Sequence, residues 1–147
     1  MKSLLMFLTP KSEVAYLEAD YTLRMAIEKM TFHHFSEIPV LDEEGKYVRS
    51  LSQADILLYL SANKDLCVEE CSKIPLAAVS SYHPLRTLRG DSTVLDALDI
   101  LAQQNFIPLV DDKNVFIGLV RRSKVLADLK SALLPDKSRE KPSKRKP

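Results

Sequence analysis

Ile38-Pro39-Val40-Leu41-Asp42-Glu43-Glu44-Gly45 and Ile107-Pro108-Leu109-Val110-Asp111-Asp112-Lys113-Asn114 are two versions of one phrase. Each is a short apolar run with proline in second place, closed by an aspartate that opens a turn. A run of this length bounded by turn residues reads as a buried strand. Gly45 suits a tight return, so Tyr47, Val48 and Leu51 form the second strand of a hairpin. In the later copy the turn over residues 111–114 leads into a strand over residues 115–120.

The likeness continues outward in both directions. Upstream, Asp20-x-Thr22 and Asp91-x-Thr93 each place a hydroxyl where a helix N-cap belongs. Leu23, Ala26, Ile27 and Met30 then form the buried face of one helix, and Leu95, Leu98, Ile100 and Leu101 that of the other. Before these, Val14, Tyr16 and Leu17, and residues 86–88, read as short strands. Downstream, Ser52 caps a second helix with Ile56, Leu57 and Leu60 as its apolar stripe, and the matching helix runs over about residues 123–134. The copies are offset by 71 positions between Asp20 and Asp91 and by 69 between Pro39 and Pro108, so one two-residue deletion aligns them. Each reads strand, helix, strand, strand, helix, and such a unit needs its neighbour to bury its apolar face. The expected organisation is a first repeat over residues 1–62, a helical linker over 63–78 whose helix ends at Pro75, a second repeat over 79–134 and a basic tail over 135–147.

Composition narrows the classes of function. At 147 residues and 46% hydrophobic, the chain suits one compact module. The net charge of +1 conceals a tail, residues 136–147, with six bases and two acids against 15 and 18 in the remainder. The tail has no apolar residue to bury, so disorder is expected, with a solubilising role favoured over nucleic-acid binding because it lacks aromatics for base stacking. No apolar run approaches the ~20 residues of a membrane span, and a cytoplasmic protein is expected. Cys67 and Cys71 lie four apart on the expected linker helix and read as reduced, partly buried thiols. Three glycines leave no phosphate-binding glycine loop. His33 and His34 would point about 100° apart on a helix, with no further ligands at metal-binding spacing. Nothing in the spacing argues for a catalytic triad or an acid/base pair, so no enzymatic activity is expected.

The order of elements, with Asp-x-Thr, a proline-bearing strand ending in Asp, and Ser52-x-x-Asp55 at a helix start, resembles the cystathionine-β-synthase (CBS) domain. Two in tandem resemble a Bateman module of the small stand-alone bacterial type. The resemblance implies an α+β fold of two β-α-β-β-α repeats about a pseudo-two-fold axis, assembled as a homodimer. It also implies clefts between the repeats that bind adenosine-containing ligands such as AMP, ATP, S-adenosylmethionine or cyclic di-AMP as regulatory ligands. No further cofactor is expected, and an unidentified protein would read the bound state.

In the first copy, Ser52 and Asp55 match the positions that meet phosphate and ribose in that family, with Lys11, Ser12, Val14, Glu37, Ile38 and Pro39 completing the expected cleft. Ser52 and Asp55 equally fit a plain helix cap. In the second copy Ile107 and Pro108 match the adenine-side positions, and His83 falls at the cleft mouth. There the hydroxyl and carboxylate are replaced by Arg121 and Lys124, with Arg122 beside them. Three cations suit an anionic ligand, a solvated surface or a partner's acids. Arg49 stands where the second copy has Gly118, and its long cation can close a pocket or reach a phosphate. The alternative function is a structural interaction module with degenerate, ligand-free clefts.

Overall fold

The computed structural model describes residues 2–135; the basic tail falls almost wholly outside them. Strand β1 (Leu8–Pro10) comes first. The first repeat then runs through β2 (Leu17–Glu18), α1 (Leu23–His33), β3 (Glu37–Leu41), β4 (Tyr47–Ser52) and α2 (Gln53–Ala62). The second follows with β5 (Leu88–Arg89), α3 (Val94–Leu101), β6 (Phe106–Val110), β7 (Phe116–Arg121) and α4 (Arg122–Leu133). In each repeat the first strand pairs parallel to the second and the hairpin is antiparallel. The expected α+β architecture of two β-α-β-β-α repeats is the observed one.

Local chemistry accounts for most element boundaries. The Thr22 hydroxyl accepts the Met25 N–H at 3.3 Å, and Thr93 with Asp96 forms a reciprocal capping box. The hairpins turn on a shared device. Asp42 Oδ1 accepts the Glu44 and Lys46 N–H groups, both at 2.9 Å, as Asp111 Oδ1 accepts those of Lys113 and Val115 at 2.8 and 2.9 Å. Each turn needs one left-handed residue, which Gly45 (φ 80°) and Asn114 (φ 66°) supply.

These turns also join the repeats. Tyr47 N–H donates to Asn114 O at 3.1 Å and Phe116 N–H to Gly45 O at 2.9 Å, a pseudo-two-fold exchange of backbone bonds. Around it, Val14, Leu41, Phe106, Phe116 and Leu119 form a buried cluster shared by both sheets. Each repeat keeps a further core between its sheet and helices, one around Leu17, Leu23, Ile38 and Leu51, the other around Leu101, Ile107, Leu109 and Val120.

The sheets differ by one strand. The second has four, in order β1-β7-β6-β5, because residues from the start of the chain cross over to it. β1 lies against β7 with Pro10 opposite Gly118, whose φ is 150°. A Cβ at 118 would stand 2.7 Å from Leu8 Cδ1 and closer still to the Thr9 carbonyl oxygen, so only glycine admits the strand. Leu4 and Phe7, just before it, are buried in the second repeat's core.

Four expectations require correction. The linker is no helical extension: α2 stops at Ala62, where Asn63 turns its side chain back onto Tyr59 O at 2.8 Å, and only short 3₁₀ turns follow at Glu69–Lys73 and Leu76–Ala78. The first strand of each repeat lies slightly later than expected, at Leu17–Glu18 and Leu88–Arg89. Leu57 is 67% exposed because the core side of α2 is held by Asp55, with Ile56, Tyr59 and Leu60 packing beside it. Leu95 is likewise exposed, and Val94 and Ala97 take its place in the core.

Candidate functional site

The pseudo-two-fold axis sets the start of each second helix against the strands of the other repeat. The start of α4 therefore faces the first repeat. Val14, Ala15, Ser36, Glu37 and Pro39 form one side of a cleft of about 400 Å³, and Asn105, Phe106, Leu119, Arg121, Arg122 and Ser123 the other. Of the residues expected at a site, the structure brings Val14, Glu37, Pro39, Arg121 and Arg122 together, joining the strand side of one copy to the helix side of the other.

The electrostatics of this cleft are mixed. Arg122 anchors its Nε on Gln104 O at 3.3 Å, while Arg121 is exposed and Lys124 lies on the outer surface of α4. Across from them Glu37 is half-buried. Burial pushes its carboxyl above the ordinary carboxylate range, helped by the Asp55 charge and opposed by His83. Nearby, burial raises the Tyr47 hydroxyl to about 12, against the opposing effect of its 2.9 Å hydrogen bond with Ser50. Cationic and carboxylate groups thus flank an apolar slot of Val14, Pro39, Phe106 and Leu119.

Backbone polarity differs between the two repeats at this point. Continuing the parallel register of Leu17 with Val40 brings Ala15 alongside Ile38, and that of Leu88 with Leu109 brings Arg86 alongside Ile107. The next residue on each partner strand is a proline, Pro39 or Pro108, which has no N–H to give. The sheet therefore cannot satisfy the Ala15 or Arg86 carbonyl. At Arg86 the buried Gln104 side chain fills the gap: its Oε1 accepts the Arg86 N–H at 3.0 Å and its Nε2 donates to the Arg86 carbonyl at 2.9 Å. The residue aligned with Gln104 is Phe35, which can do neither, and among the described residues no protein group hydrogen-bonds the Ala15 N–H or carbonyl.

Ser52 and Asp55 have a different setting. Ser52 Oγ accepts the Asp55 N–H at 3.0 Å, and Asp55 Oδ2 accepts the Ser52 N–H at 2.9 Å, a complete capping box. Asp55 is 4% exposed. Its Oδ1 accepts the Tyr82 N–H at 2.6 Å, and Oδ2 also meets Arg49 Nη2 at 3.2 Å. Arg49 further donates to the Val79 carbonyl and, at 3.2 Å, to that of Ser50. The carboxylate is thus engaged within the chain.

The other expected residues disperse. Lys11 sits 5.4 Å above the Tyr16 ring at a separate hollow with Glu18, Asp20, Asp42 and Glu43, and Ser12 is exposed on the adjoining turn. Ile38 and Ile107 are core residues, and Pro108 is buried within β6. His83 is exposed on the segment leading to β5. His33 stacks on Phe35 with ring centroids 5.1 Å apart, and no metal-binding cluster occurs among the described residues. Ala15, Phe106, Leu119 and Gln104 were not singled out from the sequence. Arg86 and Ala15 are related by the same 71-residue offset, but nothing local marks Gln104 as a buried amide.

Comparison with known proteins agrees with this architecture. A family model described as "CBS domain" matches residues 7–62 and 79–131. A CBS domain-containing protein of Dictyostelium discoideum is 26% identical over 142 residues, covering 92% of this chain and 97% of the relative. Among solved structures, CbpB in complex with c-di-AMP superimposes with a TM-score of 0.79 at 24% identity, covering 90% of this chain and 87% of that one. A CBS domain protein from Streptococcus pneumoniae gives 0.79 at 23%, covering 88% of each chain. CBSX2 in complex with AMP gives 0.72 at 19%, covering 90% and 98%.

Proposed function

We propose, from the premise that this chain belongs to the CBS domain family, that it is a regulatory module binding an adenine nucleotide in the cleft between Val14, Ala15, Glu37 and Pro39 on one side and Phe106, Leu119, Arg121 and Arg122 on the other. The observation that carries this reading is the Ala15 backbone, unpaired among the described residues, at an apolar slot with two arginines at its end. An adenine edge offers one acceptor and one donor, matching an N–H and a carbonyl on one residue. The ring fills the slot between Val14 and Phe106, and phosphates meet Arg121, Arg122 and the N–H groups of Ser123 and Lys124 in the first turn of α4, the Arg122 N–H being given to Asn105 O at 2.9 Å. A cleft of about 400 Å³ is within the range of small-molecule sites, roughly 300–1,000 Å³. The folds of CbpB with c-di-AMP and CBSX2 with AMP support the ligand class, AMP, ATP or cyclic di-AMP.

The chain acts as a homodimer in this reading. Leu57 and Leu58 on α2, Leu95 on α3 and Leu126 on α4 are exposed, forming apolar helix faces that a second copy covers. Nucleotide binding then alters how the two copies sit, and a partner protein reads the difference. Calorimetry of the full chain with AMP, ATP and cyclic di-AMP tests the site: at least one gives saturable heat, which Arg121→Glu abolishes. Absence of heat with all three in folded protein would sink the reading. The engaged state of Asp55 favours a second one, a ligand-free interaction module, in which all three nucleotides are silent and partner capture survives Arg121→Glu.

A further inference from the structure

The pseudo-two-fold axis creates a second cleft position, where the start of α2 meets the β5 and β6 side of the second repeat. We infer that the chain fills this position with its own side chains, Gln104 standing in for a base and Arg49 for the groups a ribose would present, so that each chain takes a single nucleotide. This rests on the nucleotide reading above and adds to it the number of sites and the residues that determine it.

The base-like half is Gln104. Its carboxamide presents an acceptor and a donor side by side, the pattern of an adenine edge, and both are bonded to the backbone of Arg86. A third bond, Nε2 to Phe106 O at 2.8 Å, fixes the amide's orientation. Gln104 is 5% exposed, so a base could reach Arg86 only by expelling it. The counterpart residue, Ala15, has no such occupant among the described residues.

The second half is Arg49. In the second repeat, glycine at 118 lets β1 pass at backbone contact. In the first repeat the 71-residue offset aligns residues 79–81 with β1, and among the described residues no strand pairs with β4 there. Arg49 takes up that space instead, donating to the Val79 carbonyl and to Asp55 Oδ2. Tyr82 N–H takes the other carboxylate oxygen. A ribose diol needs these lone pairs as acceptors, and both oxygens are already engaged. A fully hydrogen-bonded buried carboxylate exchanges its donors for a hydroxyl pair with no net gain.

The test is a calorimetric titration of the full chain with AMP, beside the double variant Arg49→Gly/Gln104→Ala, with folding of each checked by circular dichroism. The wild type is expected to take up AMP once per chain, and the variant to take up one equivalent more. Two equivalents in the wild type, or no gain in a folded variant, overturns the plug. If the wild type binds no AMP while the variant gains an equivalent, the plug stands and the nucleotide reading of the open cleft falls. Hydrogen exchange on the wild type decides the matter without any variant. The Tyr82 and Arg86 amides should be protected in the absence of nucleotide and, at saturating AMP, gain no more protection than core amides remote from either cleft, because their acceptors are internal. Exchange of those amides at the rate of free ones, or protection on adding AMP beyond that gained by remote core amides, would overturn the inference.

Discussion

Asp55 shows how much one carboxylate can be asked to hold. It accepts N–H groups from Ser52 and Tyr82 and a guanidinium from Arg49 while almost wholly buried. Asp55→Ala strands all three donors and leaves Arg49, itself mostly buried, without its counter-charge. Breaking such a pair costs about 3 kcal/mol, to be read as a lower urea midpoint at unchanged slope. A loss under about 1 kcal/mol would show that the network is dispensable. Glu37 sets a pH dependence of a defined sign. Its folded carboxyl holds its proton above the ordinary 4.5, so its contribution to stability is greatest below that value and is lost as pH rises through the folded pKa. Glu37→Gln should therefore be more favourable relative to wild type at pH 7 than at pH 4, measured by urea unfolding at both. An equal difference at the two pH values would remove Glu37 from the account. The Ser52-x-x-Asp55 pattern was visible in the sequence, since a capping box spans a single helical turn. Whether its carboxylate served a helix or a ligand depended on Arg49 and Tyr82, which tertiary contacts deliver.

Among the elements, β1 depends most on a single residue. Gly118→Ala places a methyl group against the Thr9 carbonyl and Leu8 in a backbone conformation that disfavours side chains, so β1 should detach at a cost of about 1–3 kcal/mol. The check is hydrogen exchange, with faster exchange expected in residues 8–10 and little change in the first sheet. The hairpins and helix starts were readable because their causes lie within four residues: Asp42 and Asp111 bond two positions ahead and four, and Thr22 and Thr93 three. The linker departs from the helix expected of it because the four-residue spacing of Cys67 and Cys71 suits one helical face, while Asn63 ends α2 before that segment begins. The displaced apolar faces have the same kind of cause. Periodicity shows that α2 and α3 are amphipathic, but a buried Asp55 rotates the α2 core face away from Leu57.

For the whole molecule, two expectations follow from shape. If α2 and α4 present their exposed leucines to a second copy, Leu57→Glu with Leu126→Glu should halve the sedimenting mass while leaving circular dichroism unchanged. An unaltered mass would move the dimer face elsewhere. A nucleotide that binds only the folded state adds about 2.7 kcal/mol at one hundred times its Kd, which for a chain of this size raises Tm by roughly 5–10 °C. That rise should vanish in Arg121→Glu.

By itself the sequence determined the duplicated β-α-β-β-α unit, its turns and caps, and the divergence of the copies at Ser52–Asp55 against Arg121–Lys124, because each is written in neighbouring residues. Tertiary structure alone decided which halves meet. The pseudo-two-fold axis sets Val14, Glu37 and Pro39 against Arg121 and Arg122 instead of Ser52 and Asp55, carries β1 into the second sheet, and brings Gln104 onto the backbone of Arg86. Those contacts join residues 18 to more than 100 positions apart, and pairing across such distances is chosen by packing of the two sheets, which no local spacing records.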